Sequence, residues 1–304
     1  MSTFRAWLEL SRGANLPTVW SNVLIGWLIA AAFGATMDGS TSLQLVALLA
    51  GVSLLYTGGM FLNDACDAEW DSAHRPERPI PSGRVTHRSV WLAAFIALGL
   101  GTGFVLWVSP SGPALVVLGL LLVAILAYSR WHKGYAFAPV LMGVCRATLP
   151  LIGYLAFAPS CDCCAQGGDR LVLTHAVALL LYTASISLLA RHEATGGKPH
   201  AAGTWIAMLA PFVTLLGWPI GEIGLWTWGV GALTALSIPL YQKLIPDIGE
   251  RVAERIAGLI LLDYVAWRLV APGFVESDWL AKGGVALVLL YGTALGLRRL
   301  MPST

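Results

Sequence analysis

Residues 63–85 read NDACDAEWDSAHRPERPIPSGRV and follow directly on an apolar run that ends GGMFL at positions 58–62. If the run continues as a helix, the three- and four-residue spacings place Asn63, Asp64, Asp67 and Asp71 on one face. Carboxylates at that spacing repel one another, so a cation should sit among them. Oxygen donors alone suit Mg²⁺, which commonly takes one or two carboxylates and shares its other positions with water and substrate phosphates. Cys66 and His74 are the only softer ligands nearby and make no zinc pattern. The plainer alternative is a solvated helix end whose acids pair with Arg75 and Arg78. The residues that follow weaken it. Three prolines and Gly83 hold an extended, turning backbone that carries Arg75, Arg78 and Arg84 at short intervals. Such a loop beside carboxylates can grip a diphosphate from two sides, through metal-bridged oxygens and guanidinium forks.

Outward from this stretch the chain is strongly apolar. Hydrophobic residues make up 57% of its 304 positions and charged residues 12%, and the mean hydropathy is +0.71, which places it among membrane proteins. Ten stretches are long and apolar enough to be read as spans, at 16–36, 42–62, 90–108, 113–128, 136–157, 171–190, 202–220, 224–240, 253–271 and 279–297. The first lacks a small-residue cleavage site behind it and reads as a retained helix. Threading ten spans from an inner N-terminus puts nearly every loop Lys and Arg on one side, with Arg170 and Lys282 as the exceptions. Both termini and the 63–89 loop are therefore expected on the cytoplasmic side, in a bacterial inner membrane. The net charge of +2 is dispersed over loops, so nucleic acid is not an expected partner. The expected fold is a single all-α integral membrane domain over 1–304, a multi-helix bundle around a central polar cavity.

The composite NDxxDxxxD followed by RPxRPIxxG, complete here from Asn63 to Gly83, resembles the first motif of the UbiA superfamily of intramembrane prenyltransferases. The resemblance extends to about residue 271 and implies nine helices, leaving a tenth, within 272–304, outside it. It also implies Mg²⁺-dependent transfer of a prenyl group from an isoprenoid diphosphate to an aromatic or other small nucleophilic acceptor, with Asn63, Asp64, Asp67 and Asp71 as the metal set. A second family loop carries YxxxK, and here YSRWHKG sets Tyr128 and Lys133 one residue further apart, with Lys133 as the implied diphosphate ligand. The family's second aspartate motif, DxxxD, should follow the sixth helix, where this chain reads ARHEATGGKP. Its aspartates are absent. Glu193 remains as the one carboxylate, among Arg191, His192 and Lys198, and three readings compete, of which the first two together are expected, Glu193 and Arg191 contributing jointly to diphosphate binding. Glu193 holds a second Mg²⁺, the basic residues bind phosphate directly, or the site has lost its ionising power.

Further polar residues lie inside spans. Arg146, in MGVCRATLP, is costly in lipid and so a functional candidate facing the cavity. Arg12, Asn15, Thr18 and Asn22 approximate a helical repeat and form a polar stripe that lines either a cavity or a helix contact; Arg12, Asn15 and Asn22 are carried forward as substrate-binding candidates. Asp263 and Arg268 stand five apart, an imperfect spacing at which they could neutralise each other. The 13 tryptophans include interfacial anchors, so none is singled out. Cys161, Cys163 and Cys164 fall in an expected outer loop, where a local disulfide, free thiols or a metal cluster are the alternatives. Outside prenyl transfer, a catalytically weakened homologue that binds lipid diphosphates or organises partner enzymes draws on the lost aspartates. A secondary transporter would need repeat symmetry, and none is found.

Overall fold

A long apolar segment in hydrocarbon can satisfy its N–H and C=O groups only within itself, which makes the helix the one open solution for each run. The computed structural model describes residues 3–35, 39–132, 135–158, 162–194, 200–245, 247–271 and 278–300, and among them every regular element is helical. In chain order they are α1 (Thr3–Ser11), α2 (Leu16–Ala32), α3 (Gly39–Cys66), α4 (Ala68–His74), α5 (His87–Val108) and α6 (Gly112–Trp131). Then come α7 (Ala138–Leu155), α8 (Asp162–Ala194), α9 (Ala201–Leu215), α10 (Leu225–Leu244), α11 (Ile248–Val270) and α12 (Asp278–Leu300).

Each of the ten expected stretches coincides with one of these helices, but they are not equally apolar. Among the described residues six segments are long and apolar enough to cross a membrane: Thr3–Ala32, Gly39–Cys66, His87–Val108, Gly112–Trp131, Ala138–Leu155 and Gly167–Glu193. Ala201–Leu215 and Lys282–Leu297 are apolar but shorter. α11 carries Glu250, Arg251, Glu254, Arg255, Asp263 and Arg268; Arg255 and Asp263 are fully buried, as charges within a membrane helix must be when protein supplies their partners. α8 begins at Asp162, so positions 163 and 164 belong to a helix and not to the expected outer loop; Cys161 and the side chains of residues 159–166 lie outside the described set.

α2 sits at the centre, with most of its residues buried, and packs against α3, α7, α8, α11 and α12. α5 and α6 form an outer layer whose large side chains, Phe95, Leu100, Val116 and Val123 among them, are exposed, as a lipid-facing surface requires. α2 and α7 approach so closely that a Cβ on Gly26 would strike the Pro150 carbonyl and one on Gly153 the Val23 carbonyl, the small-residue contact that lets membrane helices touch backbone to backbone. Gly153→Ala is expected to lower the melting temperature in detergent, at a cost of about 1–3 kcal/mol for overpacking; an unchanged melt would show that the two helices part without penalty.

Candidate active site

The site grows from one face of α3. Val52, Tyr56, Gly59 and Met60 line a cavity, and one turn further the same face carries Asn63 and Asp64. α3 ends at Cys66 and α4 starts at Ala68, yet the helical bonding continues through the junction. The Asp67 N–H donates to the Asn63 carbonyl at 3.0 Å and the Asp71 N–H to that of Asp67 at 2.9 Å. The expected common face is therefore present, and Asn63, Asp64, Asp67 and Asp71 are all buried.

Cations already lie among these carboxylates, and they come from the protein. The Arg12 Nη2 donates to Asp64 Oδ1 at 3.1 Å. Arg78 Nη1 reaches Asp64 Oδ1 at 3.3 Å and Asp71 Oδ2 at 3.1 Å. His132 Nε2 lies 3.1 Å from Asp67 Oδ2. Arg12 gets there through an unusual backbone, with φ 46° and ψ 41° in the left-handed region, at the break between α1 and α2. Arg84 takes a different part. It forks onto Glu9 at 2.8 and 3.4 Å and donates to the Glu77 carbonyl at 2.7 Å, fastening the loop to α1. Arg75, expected at the cluster, is exposed and stands over the Trp70 ring at 5.7 Å. Lys133 and Lys198 lie outside the described residues.

The donor set fits Mg²⁺ in kind. Asn63 Oδ1 is buried without a hydrogen-bond partner, an oxygen held beside carboxylates with nothing to accept from. Among the described residues no three His, Cys, Asp or Glu side chains converge on one point, so a cage made wholly of protein is not what the cluster offers. Two carboxylates and an amide oxygen completed by water and phosphate are the usual provision for this ion.

Beyond Arg12 two chambers open in series. A polar one, enclosing about 730 Å³ of space partly open to the outside, is lined by Arg12, Asn15, Tyr56, Arg146, Thr183 and Arg255, among others. An apolar one, about 600 Å³ of space likewise partly open to the outside, is lined by Val19, Val52, Leu55, Leu121, Ile125, Tyr128 and Leu149. Tyr56, Met60, Met142 and Arg146 border both. Asn15 donates to the Tyr56 hydroxyl at 3.2 Å, and Tyr128 stacks on His132 with centroids 5.2 Å apart. Arg146 donates to Asn22 Oδ1 at 3.3 Å, and Asn22 Nδ2 donates to Asp263 Oδ2 at 2.8 Å. His175 Nε2 lies 2.9 Å from Asp263 Oδ1, and its Nδ1 lies 3.2 Å from Thr214 Oγ1. The weighed pairing of Asp263 with Arg268 is thus corrected. A five-residue offset turns the two side chains apart, and Arg268 sits instead over the Trp267 ring at 5.8 Å. In the polar stripe, Arg12 and Asn15 face the chamber while Thr18 and Asn22 are buried in helix contacts.

The loop after α8 also departs from expectation. Glu193 accepts from Arg255 at 2.8 and 2.8 Å and from Arg251 at 3.3 Å, so both of its oxygens are held by guanidinium groups. Arg191 donates to the His132 and Tyr135 carbonyls at 2.6 and 3.0 Å, and His192 packs against His200 at 4.7 Å. Sequence reasoning missed Arg251 and Arg255, which stand one turn apart near the start of α11 and pass for ordinary charges flanking a span. It also passed over His132, inside the quoted YSRWHKG, and Tyr56, which carries no charge to mark it.

Known proteins resemble this chain in sequence and fold. The UbiA prenyltransferase family model matches residues 23–257. A digeranylgeranylglyceryl phosphate synthase of Methanothrix thermoacetophila is 33% identical over 293 residues, covering 92% of this chain and 96% of the relative. One of Methanopyrus kandleri is 41% identical over 100 residues, 33% of this chain, and there the chain spans only about a third of its relative, 34%. A solved structure of digeranylgeranylglyceryl phosphate synthase in membranes superposes with TM-score 0.63 at 20% identity, over 90% of this chain and 99% of that one, and so shares the fold. With the family model matching most of its length, and the acidic face of Asn63, Asp64, Asp67 and Asp71 and the arginine loop behind it lying inside that match, this chain belongs to the UbiA prenyltransferase family.

Proposed function

We propose that the chain is a Mg²⁺-dependent prenyltransferase that moves a prenyl group from an isoprenoid diphosphate to an aromatic or other small nucleophilic acceptor within the membrane. The observation that carries this reading is the single face of α3. It runs from an apolar chamber at Val52 and Tyr56 to the buried carboxylate of Asp64 and, carried on into α4, that of Asp71, matching a molecule with an apolar tail and an anionic head. Mg²⁺ held by Asn63 and by carboxylates drawn from Asp64, Asp67 and Asp71, with water and phosphate completing its shell, would draw charge from the diphosphate oxygens. Arg12 and Arg78, which pair with Asp64, are placed to turn to phosphate oxygens when the carboxylate is otherwise engaged, and the resemblance adds Lys133 to them. As the allylic C–O bond breaks, its electron pair leaves with the diphosphate, and these cations stabilise that charge. The acceptor's lone pair then captures the carbocation and the acceptor gives up its proton. Leu55, Leu121 and Leu149 would keep water from competing. The names of the relatives support prenyl chemistry in the family.

The one-sided distribution of Lys and Arg supports a cytoplasmic placement of the acidic face. Sealed vesicles carrying the protein, given labelled prenyl diphosphates of several chain lengths with a lipid and small-molecule extract as acceptor source, test both points. Label should move into an acceptor only with Mg²⁺, and with external donor only in inverted vesicles. No transfer at any chain length would sink the transferase reading. Donor binding without turnover would favour a binding-only homologue, which the neutralised Glu193 also supports.

A further inference from the structure

Arg251 and Arg255 belong to no motif assigned above, and Glu193 stands where the second aspartate motif would be. Glu193 on α8 faces two arginines one turn apart on α11, with its side chain 3% and that of Arg255 1% exposed. A carboxylate whose two oxygens already accept from two guanidinium groups is a poor metal ligand. One carboxylate against two guanidiniums leaves the cluster positive, and its bidentate geometry fixes the Arg255 fork in place. Arg255 lines the polar chamber with Arg12, Arg146, Thr183 and Ser187, and no carboxylate lines that chamber. Two buried groups on its wall, Arg255 Nε and Thr183 Oγ1, have no hydrogen-bond partner, although buried polar groups in folded proteins are nearly always satisfied. Arg12 borders this chamber and also the small pocket formed with Asp64 and Arg78, so it joins the acidic face to the chamber that Arg255 lines.

We propose that Arg255, held by Glu193 and backed by Arg251, binds phosphoryl oxygens of the diphosphate directly, in place of a second metal ion, so that one divalent ion per chain suffices. The inference rests on the transferase reading and gives Glu193 the part of a positioning residue. The purified full chain would be titrated by calorimetry with inorganic pyrophosphate in EDTA, and with an unreactive thiolo analogue of geranyl diphosphate in Mn²⁺, whose bound ions are counted by paramagnetic resonance. Wild type should bind pyrophosphate without metal and hold one Mn²⁺ per chain with the analogue. Arg255→Lys, which keeps the charge and loses the fork, should weaken metal-free binding about tenfold. Thr183→Val leaves the Glu193–Arg255 pair intact and guards against a folding artefact; it should weaken that binding about fivefold. Asp64→Asn should lose the Mn²⁺ and keep the metal-free binding. Two Mn²⁺ per chain, no metal-free binding, or metal-free binding indifferent to both Arg255→Lys and Thr183→Val in folded protein overturns the inference while leaving the transferase reading standing. Failure to bind the analogue even with Mn²⁺ removes both.

Discussion

Asp64→Asn is expected to lower Mg²⁺-dependent prenyl transfer by about a thousandfold or more, the loss that follows when several kcal/mol of metal-borne charge stabilisation is removed from the transition state. The substitution keeps shape and removes one negative charge from the point where Arg12 and Arg78 converge. Folding should survive. Arg78 retains Asp71 at 3.1 Å, and the Arg12 side chain, 30% exposed, can be hydrated once its partner weakens. Initial rates across a Mg²⁺ titration, set beside melting curves, separate the two effects. Wild-type rates from a folded variant would end the assignment of Asp64 to the metal.

The largest loss of stability should come from Glu193→Ala. It strips the partner from Arg255, a residue with no solvent exposure, and stranding a buried charge typically costs about 3–5 kcal/mol. Unfolding followed in detergent should show that loss. A double variant, Glu193→Ala with Arg255→Met, should recover most of it, because an apolar pair of similar volume carries no desolvation penalty. If the single variant melts as wild type does, water reaches Arg255 and the polar chamber is wetter than its walls indicate.

Helix placement was legible because hydrophobic runs of membrane length leave few alternatives, and each expected stretch met a helix. The acidic face was legible for a similar reason, since periodicity alone puts Asn63, Asp64, Asp67 and Asp71 together once α3 continues into α4. What could not be read locally was partnership across long separations. Asn22 and Asp263 meet 241 positions apart and Glu193 and Arg255 meet 62 apart, contacts set by how helices stack. Charge spacing within α11 suggested Arg268 for Asp263, and the bundle instead supplied His175 and Asn22. Arg75 went astray differently. A motif names residue types in order, and which arginine of a turning loop points inward is decided by where the prolines bend it.

Arg12 occupies a backbone conformation that glycine adopts freely and other residues adopt at a cost of roughly 1–2 kcal/mol. Gly13 stands immediately beside it, yet the left-handed position is held by the charged residue. A cationic side chain kept there against the local preference has to be repaid by what it contacts, and it contacts Asp64. The kink that ends α1 and the charge balance of the acidic face are therefore one feature seen from two sides. The bend at position 12 and the ion pair with Asp64 are coupled, so a substitution that removes the Asp64 charge also removes the contact that offsets the cost of the bend.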